Sequence, residues 1–189
     1  FVDQNGDGVI DILDRTFIGN PNPDFVYGFN LNFKLKGFTA NFLFNGVFGN
    51  DIANGNLIKL NNAEGLATNI SPNAYNNAWR PDAQSNIYPR LGYDVTAYQA
   101  IGISDRIIED GSFLRLNNVT VSYDIPVEKS LLMDRVNVYI AGKNLVTWTD
   151  YSGYNPEVSS FLNNGLINGV DWNGPRNAKT ILLGLNINF

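Results

Sequence analysis

The sequence lacks cysteine and histidine altogether, and only 16% of its 189 residues are charged. Without cysteine there is no disulfide and no thiolate metal site. Without histidine there is no histidine-based catalytic triad, proton shuttle or metal ligand, which excludes most hydrolase and zinc chemistry. The net charge of -5 and the pI near 4.6 argue against a nucleic-acid partner. We therefore expect neither an enzyme nor a nucleic-acid-binding protein.

A long apolar run is also missing. No stretch reaches the roughly 18 apolar residues of a transmembrane helix, so none is predicted. The sequence begins with Phe1, without Met and without the basic and apolar regions of a signal peptide. We interpret it as an internal piece of a longer protein. Asn, Gly, Ser and Thr take the place of the missing charged residues, a composition that suits barrel lumens and surface loops.

The last ten residues, 180–189, alternate in polarity. In an extended strand, one face would carry Ile181, Leu183, Leu185, Ile187 and Phe189, and the other Thr180, Leu182, Gly184, Asn186 and Asn188. A strand of a water-soluble protein buries such an apolar face in a core, whereas a strand of a membrane β-barrel turns it to lipid. This strand alone favours the soluble interpretation, because soluble strands are commoner.

Residues 3–14 match a twelve-residue calcium loop. The predicted ligands are Asp3, Asn5, Asp7, the Val9 carbonyl, Asp11 and Asp14, with Gly8 at the sharp turn. Asp14 stands where an EF-hand has Glu, as in the dockerin variant. The alternative is a solvated, Asp- and Asn-rich turn without an ion. We favour calcium, because four carboxylates this close would repel one another without a cation.

Alternating apolar and polar residues predict five strands in all. They cover 25–36, 38–48, 112–125, 136–148 and 180–189. In the first two strands Phe recurs on one face and Asn on the other, which is hard to place in a soluble sandwich whose core packs Val, Ile and Leu tightly. Lipid needs no such tight packing, and aromatic residues suit its interfaces. A change of phase at Asn117 and Asn118 predicts a β-bulge.

The connections between these strands alternate in length. Short connections follow the first and third strands, and long loops rich in Asn and Gly follow the second and fourth, at 50–110 and 149–176. The first long loop is predicted to be irregular, with one helix that starts at Ser71 as N-cap, has Pro72 as its first residue and runs toward Trp79. Short periplasmic turns and long external loops are typical of an outer-membrane barrel, and five strands are too few to close one.

We therefore expect an all-β piece of a larger membrane barrel. In this orientation Phe189 lies at the periplasmic end, and the calcium loop lies outside the cell. The aromatic residues in or beside the long loops are Trp79, Tyr88, Tyr93, Trp148, Tyr151, Tyr154 and Trp172. They could stack on sugars, although an aromatic girdle and loop packing is the favoured interpretation. We keep Trp79, Tyr88, Tyr93, Tyr151 and Trp172 as candidate ligand or partner contacts, and we interpret Arg115 as a lumen-facing group.

Several stretches together resemble the C-terminal end of SusC-like, TonB-dependent outer-membrane transporters. They are Asp-Gln-Asn-Gly-Asp-Gly-Val-Ile-Asp (3–11), Ile-Gly-Asn-Pro-Asn-Pro-Asp-Phe (18–25), Tyr-Gly-Phe-Asn (27–30), Ile-Glu-Asp-Gly-Ser-Phe-Leu-Arg-Leu-Asn-Asn-Val (108–119), Gly-Lys-Asn-Leu-Val-Thr-Trp-Thr (142–149), Tyr-Ser-Gly-Tyr-Asn-Pro-Glu (151–157) and the strand ending on Phe189. Gly-Pro-Arg at 174–176 departs from the family's usual Tyr-Pro-Arg.

This resemblance implies that residues 1–189 are the C-terminal part of one 22-stranded barrel domain in the outer membrane of a Gram-negative bacterium. The family's plug, TonB-contacting segment and N-terminal strands are not in this sequence. The resemblance also implies a SusD-like surface lipoprotein as partner and glycans, oligosaccharides or peptides as cargo. It implies that the barrel assembly machinery recognises the terminal aromatic Phe189.

Two other functions fit parts of the sequence. A secreted, calcium-binding adhesion or scaffold domain would share the loop at 3–14, but it would not expose an apolar face on every strand. An outer-membrane enzyme could use Asp105, Glu109 and Asp110 as paired carboxylates. We do not favour this enzyme, because the stretch 104–111 matches the transporter pattern and external carboxylates are usually just solvated.

Overall fold

The fold is known from a computed structural model that describes residues 2–61, 69–88, 90–91, 103–127, 133–161 and 167–189. Its strands are β1 Phe25–Leu35, β2 Phe38–Phe48, β3 Asp51–Asn54, β4 Ile108–Asp110, β5 Phe113–Ile125, β6 Arg135–Thr149, β7 Val170–Asp171 and β8 Thr180–Asn188. Its helices are α1 Asn56–Leu60 and α2 Pro72–Asn76, with single 3-10 turns at Ile12–Asp14 and Asp105–Ile107.

The chain divides into two compact units. The first, called the sheet unit, comprises Pro23–Asn50, Gly111–Glu157 and Pro175–Phe189. The second, called the loop unit, comprises Phe1–Asn22, Asp51–Asp110 and Val158–Gly174.

The sheet unit is built on one five-stranded sheet, in the order β1-β2-β5-β6-β8, with every neighbouring pair antiparallel. These are the five strands that the alternation predicts, and their bounds agree with the predicted ranges to within one residue. The predicted bulge is confirmed as well, because the pairing of β5 shifts between Leu116 and Asn118 and leaves Asn117 unpaired. The extra residue keeps Leu116 and Val119 on the same face of the sheet.

The strand register separates the residues onto two chemically different faces. The apolar face carries Phe29, Leu31, Phe42, Phe44, Val119, Val121, Val138, Ile140, Leu183 and Leu185. The polar face carries Asn30, Asn32, Asn41, Asn45, Thr120, Ser122, Asn137 and Asn186. Phe29 is 44% exposed, Ile140 46% and Leu183 76%. These side chains are therefore exposed, whereas the facing side chains of a sandwich are buried in its core.

Aromatic rings pair across the strands on this apolar face. Phe29 and Phe44 lie directly opposite each other, with ring centroids 4.6 Å apart, and Phe38 lies 4.4 Å from Tyr123. Such pairs stabilise neighbouring strands beyond the area that they bury. Lys36 and Gly37 form the tight turn between β1 and β2, and both have positive φ angles, 46° and 89°. Two positive φ angles give the hairpin turn that matches the twist of the strands.

The loop unit contains a second, small sheet that the sequence did not predict. Its order is β4-β3-β7, with β3 antiparallel to β4 and parallel to β7. The prediction that the stretch 50–110 is irregular, apart from one helix, is therefore wrong where β3, α1 and β4 form. These strands have only two to four residues, too few to show alternation. Ile52, in β3 of this sheet, is 1% exposed.

The predicted helix in the same stretch is confirmed as α2. Ser71 caps it, and its hydroxyl oxygen accepts a hydrogen bond from the backbone N–H of Ala74 at 3.0 Å. Pro72 fills the first position, where no backbone N–H is needed. The helix ends at Asn76, before it reaches Trp79. In the part of the chain that the structure describes, no helix has the length and apolar character needed to cross a membrane.

The buried side chains of the sheet unit gather at one end of the sheet. Phe113, Arg115 and Tyr151 are 3%, 4% and 5% exposed. Phe113 and Arg115 start β5 and project from the polar face, and Tyr151 follows the end of β6. Burial at this end depends on the segment 150–157, whose polar side chains bond to Arg115.

Candidate functional site

The predicted calcium loop has a backbone organised by its own acidic side chains. The Asp3 carboxylate accepts hydrogen bonds from the N–H groups of Gly6 at 2.6 Å and Gly8 at 2.8 Å. Both glycines have positive φ angles, 79° and 83°. A side chain at these positions would be strained, so glycine allows the chain to wrap around Asp3.

Asp14 closes the same loop. One carboxylate oxygen accepts from the N–H of Asp11 at 2.8 Å, and the other accepts from the N–H of Gln4 at 2.8 Å. These bonds, that from Asp11 first, hold the pKa of Asp14 below its ordinary value. Because the folded loop favours the carboxylate, this stabilisation is present above the ordinary pKa. It is lost as the pH falls through the lowered value.

The donor atoms of this loop fit a hard cation, since all are oxygens of carboxylates, an amide and a backbone carbonyl. These donor atoms are not gathered around one point. Among the described residues, no three acidic side chains converge in a way that could hold a metal ion. The carboxylates instead bond to backbone N–H groups, as Asp7 does to Val9 at 2.8 Å. The calcium site therefore stays a prediction.

Arg115 lies in the most developed polar cluster of the sheet unit. It is 4% exposed and forms an ion pair with Glu157, whose side chain is 39% exposed. Its guanidinium also donates to the Asn155 side-chain oxygen at 2.9 Å and to the Thr147 hydroxyl at 2.9 Å. A buried guanidinium needs partners of this kind, because an unpaired buried charge is very costly. The segment after β6 is thus fastened to the polar face of β5.

Hydrogen bonds also join three strands at this end of the sheet. The Ser112 hydroxyl accepts from the Gly49 N–H at 3.0 Å, and the Ser112 carbonyl accepts from the Thr149 hydroxyl at 2.8 Å. Thr149 in turn accepts from the Tyr151 N–H at 3.2 Å. The ends of β2, β5 and β6 are therefore tied together where the long loops leave the sheet.

Sequence reasoning placed Arg115 on a face but did not find its partners. Glu157 lies 42 residues away in the sequence, and Asn155 lies 40. No local pattern connects them, because their contact depends on how β5 and β6 pair. The available signal was the Asn-Pro-Glu at 155–157, which belongs to one of the stretches that resemble the transporter family.

The candidate aromatic contacts have different surroundings. Tyr151 is buried and belongs to the packed end of the sheet, so it presents almost no surface to a ligand. Trp172 is 42% exposed, with the Lys59 ammonium 5.5 Å from its ring centroid. Tyr88 is half-buried beneath Arg106, 5.3 Å from its ring, and its carbonyl accepts from the Trp79 N–H at 3.0 Å. Tyr93 lies outside the described residues.

The remaining candidates lie at two places. Phe189 is 84% exposed and follows the last residue of β8, in phase with the apolar Ile187. Asp105 begins the 3-10 turn before β4, while Glu109 lies within β4 and accepts a hydrogen bond from the Asn54 amide at 2.8 Å. The hydrogen bond ties Glu109 into the small sheet.

Comparison with curated proteins finds relatives along the whole chain. TonB-dependent receptors P3 and P26 of Formosa agariphila are each 34% identical to it, over 197 and 193 residues. The receptor SusC of Bacteroides thetaiotaomicron is 29% identical over 194 residues. These alignments take in 99–100% of this chain but only 17–19% of each relative, so the chain spans about a fifth of their length. No family model matches the chain.

Solved structures also resemble the chain. The RagAB peptide importer in its open-open state superposes with a TM-score of 0.74 at 26% identity, covering 89% of this chain and 17% of that one. Another structure of the RagAB peptide transporter gives a TM-score of 0.71 at 27% identity, with 87% and 17% covered. The five-stranded sheet therefore matches the barrel portion of TonB-dependent receptors. These relatives are named as receptors and transporters and none as an enzyme, which agrees with the expectation that the chain is not an enzyme.

Proposed function

Because the chain is homologous along its length to SusC-like TonB-dependent receptors, we propose that it forms part of the wall of an outer-membrane importer. The observation that supports this most directly is the apolar face, which runs across all five strands of the sheet. In water such a face would favour aggregation. In a membrane barrel it contacts lipid, while the polar face lines the lumen.

The rest of the proposed activity belongs to the whole protein. We propose that it takes up glycans, oligosaccharides or peptides, with energy from the TonB complex, which would act through a part outside this sequence. A SusD-like lipoprotein would receive the substrate at the cell surface, where the long loops at 50–110 and 149–176 would lie. The test is uptake of labelled oligosaccharides and peptides by cells that produce the full-length receptor, with and without TonB. Uptake that is independent of TonB would contradict the proposal.

The two faces of β8 give a direct test of the membrane orientation. Leu182 and Leu183 are neighbours of the same residue type, 53% and 76% exposed, but they lie on opposite faces. We expect a fluorophore on Leu183→Cys in the full-length receptor to be quenched strongly by brominated lipid. The same fluorophore on Leu182→Cys should be quenched weakly by lipid and readily by a water-soluble quencher. Equal quenching by lipid at both positions would refute the lipid-facing assignment.

We also propose that the loop at 3–14 binds one Ca²⁺ ion through Asp3, Asn5, Asp7, the Val9 carbonyl, Asp11 and Asp14. The carboxylates would turn from their backbone partners toward the ion, at oxygen distances of about 2.3–2.6 Å. The bound ion would rigidify the segment that leads into β1. This role is structural and involves no chemical step.

Calcium titration of the full-length receptor by calorimetry tests this site. We expect the double variant Asp3→Asn/Asp7→Asn to lose one binding event, because two of the charged ligands become neutral. Asp150→Asn, which removes an exposed carboxylate outside the loop, is the matched control and should leave binding unchanged. An unchanged number of binding events in the double variant would show that the loop is not the site.

We propose, finally, that Phe189 is an assembly signal at the periplasmic end of the last strand. Deletion of Phe189 is expected to reduce the amount of folded receptor in the outer membrane several-fold, whereas Phe189→Tyr keeps an aromatic ring and should preserve most of it. Calcium binding should not change, because the deletion lies far in sequence from the loop at 3–14. If the variant that lacks Phe189 inserts into the outer membrane at the native level, Phe189 is not an assembly signal but only an interfacial aromatic residue.

A further inference from the structure

Arg176 and Tyr154 form the tightest stacked cation pair among the described residues. The guanidinium carbon of Arg176 lies 3.8 Å from the ring centroid of Tyr154. The other four pairs of this kind have separations of 5.0–5.5 Å. Tyr154 is nevertheless 66% exposed, so the stacked pair is presented at the surface. The stack fixes the plane of the guanidinium without using its N–H groups.

The N–H groups of Arg176 have no protein acceptor in the described part of the chain. Arg115 and Arg135 are each held in an ion pair, with Glu157 and Asp124. Arg80 also stacks on a tyrosine, but its guanidinium donates to the carbonyl of Tyr75 at 3.0 Å. Arg176 differs from these three, because its contact is the ring alone. It therefore presents an oriented set of donors at the surface that no protein acceptor in the described part of the chain occupies.

The backbone on both sides of the pair is anchored. Asn155 follows Tyr154, and Asn177 follows Arg176; the Asn177 amide donates to the Asn155 side-chain oxygen at 3.1 Å. The same oxygen accepts from the buried Arg115 at 2.9 Å. The pair is therefore tied to the polar face of the sheet by a cluster that is already packed. Binding of a ligand there would therefore cost the protein little further conformational entropy.

The chemistry of the pair selects a carboxylate. A guanidinium fork matches the two oxygens of a carboxylate, and such charge-assisted, bidentate bonds are stronger than neutral ones. Glu157 would not compete for Arg176, since its own charge is already paired with Arg115. The ring of Tyr154 offers an apolar surface beside the charge, suited to a sugar or side chain of the same ligand.

We propose that Arg176 and Tyr154 form a carboxylate-binding site for the imported substrate. The proposal rests on the import function above and names the chemistry that this part of the wall recognises. The carboxylate can be the C-terminus of a peptide or the uronate of an acidic oligosaccharide. Both sources present the same pair of oxygens to Arg176.

The test uses the purified full-length receptor and four probes: trialanine and its C-terminal amide, and trigalacturonic acid and its methyl ester. The native receptor should bind at least one acid about ten-fold more tightly than its neutral counterpart, as expected for one charge-assisted contact. Arg176→Gln should abolish this difference. Arg176→Lys should restore part of it, because lysine keeps the charge but not the fork. Arg80→Gln is the matched control and should change nothing, since Arg80 also stacks on a tyrosine, Tyr75, but its guanidinium already donates to the Tyr75 carbonyl.

Which acid shows the preference identifies the source of the carboxylate. A native receptor without preference for either acid would overturn the proposal, and so would a preference that survives Arg176→Gln. Neither result would affect the import function, which is tested separately by TonB-dependent uptake and by the lipid exposure of Leu183. Absence of TonB-dependent uptake for every probe would contradict the import function. If the receptor still bound the acid more tightly than its neutral counterpart, the carboxylate-binding site would nevertheless be supported.

Discussion

Replacement of Gly46 by Ala is expected to destabilise the folded receptor strongly, because the added methyl group would clash with a backbone carbonyl as well as with a tyrosine ring. A Cβ atom at Gly46 would lie 2.4 Å from Cζ of Tyr27 and 2.5 Å from the carbonyl oxygen of Phe113. Tyr27 is the cross-strand partner of Gly46, and its hydroxyl donates to that same carbonyl at 3.1 Å. The methyl group must therefore displace the ring and break the hydrogen bond, or push β2 away from β5.

We expect Gly46→Ala to cost about 2–4 kcal/mol, from overpacking together with one lost hydrogen bond. The measurement is urea unfolding of the full-length receptor in lipid vesicles, followed by tryptophan fluorescence. Gly28→Ala is the control, because it lies in the neighbouring strand and its Cβ would meet only the Phe44 carbonyl, at 3.3 Å. A cost for Gly46→Ala no larger than that for Gly28→Ala would show that the ring of Tyr27 moves aside freely.

The second large effect is expected at Glu157, and it should exceed the effect at its buried partner. Glu157→Leu leaves the Arg115 guanidinium, 4% exposed, without its counter-charge. An uncompensated buried charge costs about 3–5 kcal/mol. Arg115→Met instead replaces the buried group by an apolar side chain of similar length. The Glu157 side chain, 39% exposed, can then turn to water, so we expect a cost below about 2 kcal/mol.

A double-mutant cycle separates the pair from its surroundings. Arg115→Met/Glu157→Leu should recover most of the stability lost in Glu157→Leu, because the unpaired charge is gone. Hydrogen exchange of the segment 150–157 should become faster in Glu157→Leu and return toward the native rate in the double variant. If Arg115→Met proves the more damaging single change, the hydrogen bonds to Asn155 and Thr147 outweigh the ion pair. The asymmetry argued from burial would then be wrong.

The five long strands were predictable because alternation with a period of two is a local property. It determined which side chains share a face, and so predicted the apolar face of Phe29, Ile140 and Leu183 before any pairing was known. The bulge at Asn117 and the cap at Ser71 were predictable for the same reason. Each depends on the types of a few adjacent residues.

What the tertiary structure alone decided are the contacts between residues far apart in the chain. β2 pairs with β5 across more than 60 intervening residues, and the parallel pairing of β3 with β7 joins residues more than 110 positions apart. The partners of Arg115 and the stacking of Arg176 on Tyr154 depend on such pairings. A local pattern carries no information about them, because it assigns each side chain to a face of its own strand and does not determine which strands pair. Which distant residues come into contact is decided by the strand register and by the hydrogen bonds at the strand ends, and both exist only once the sheet has formed.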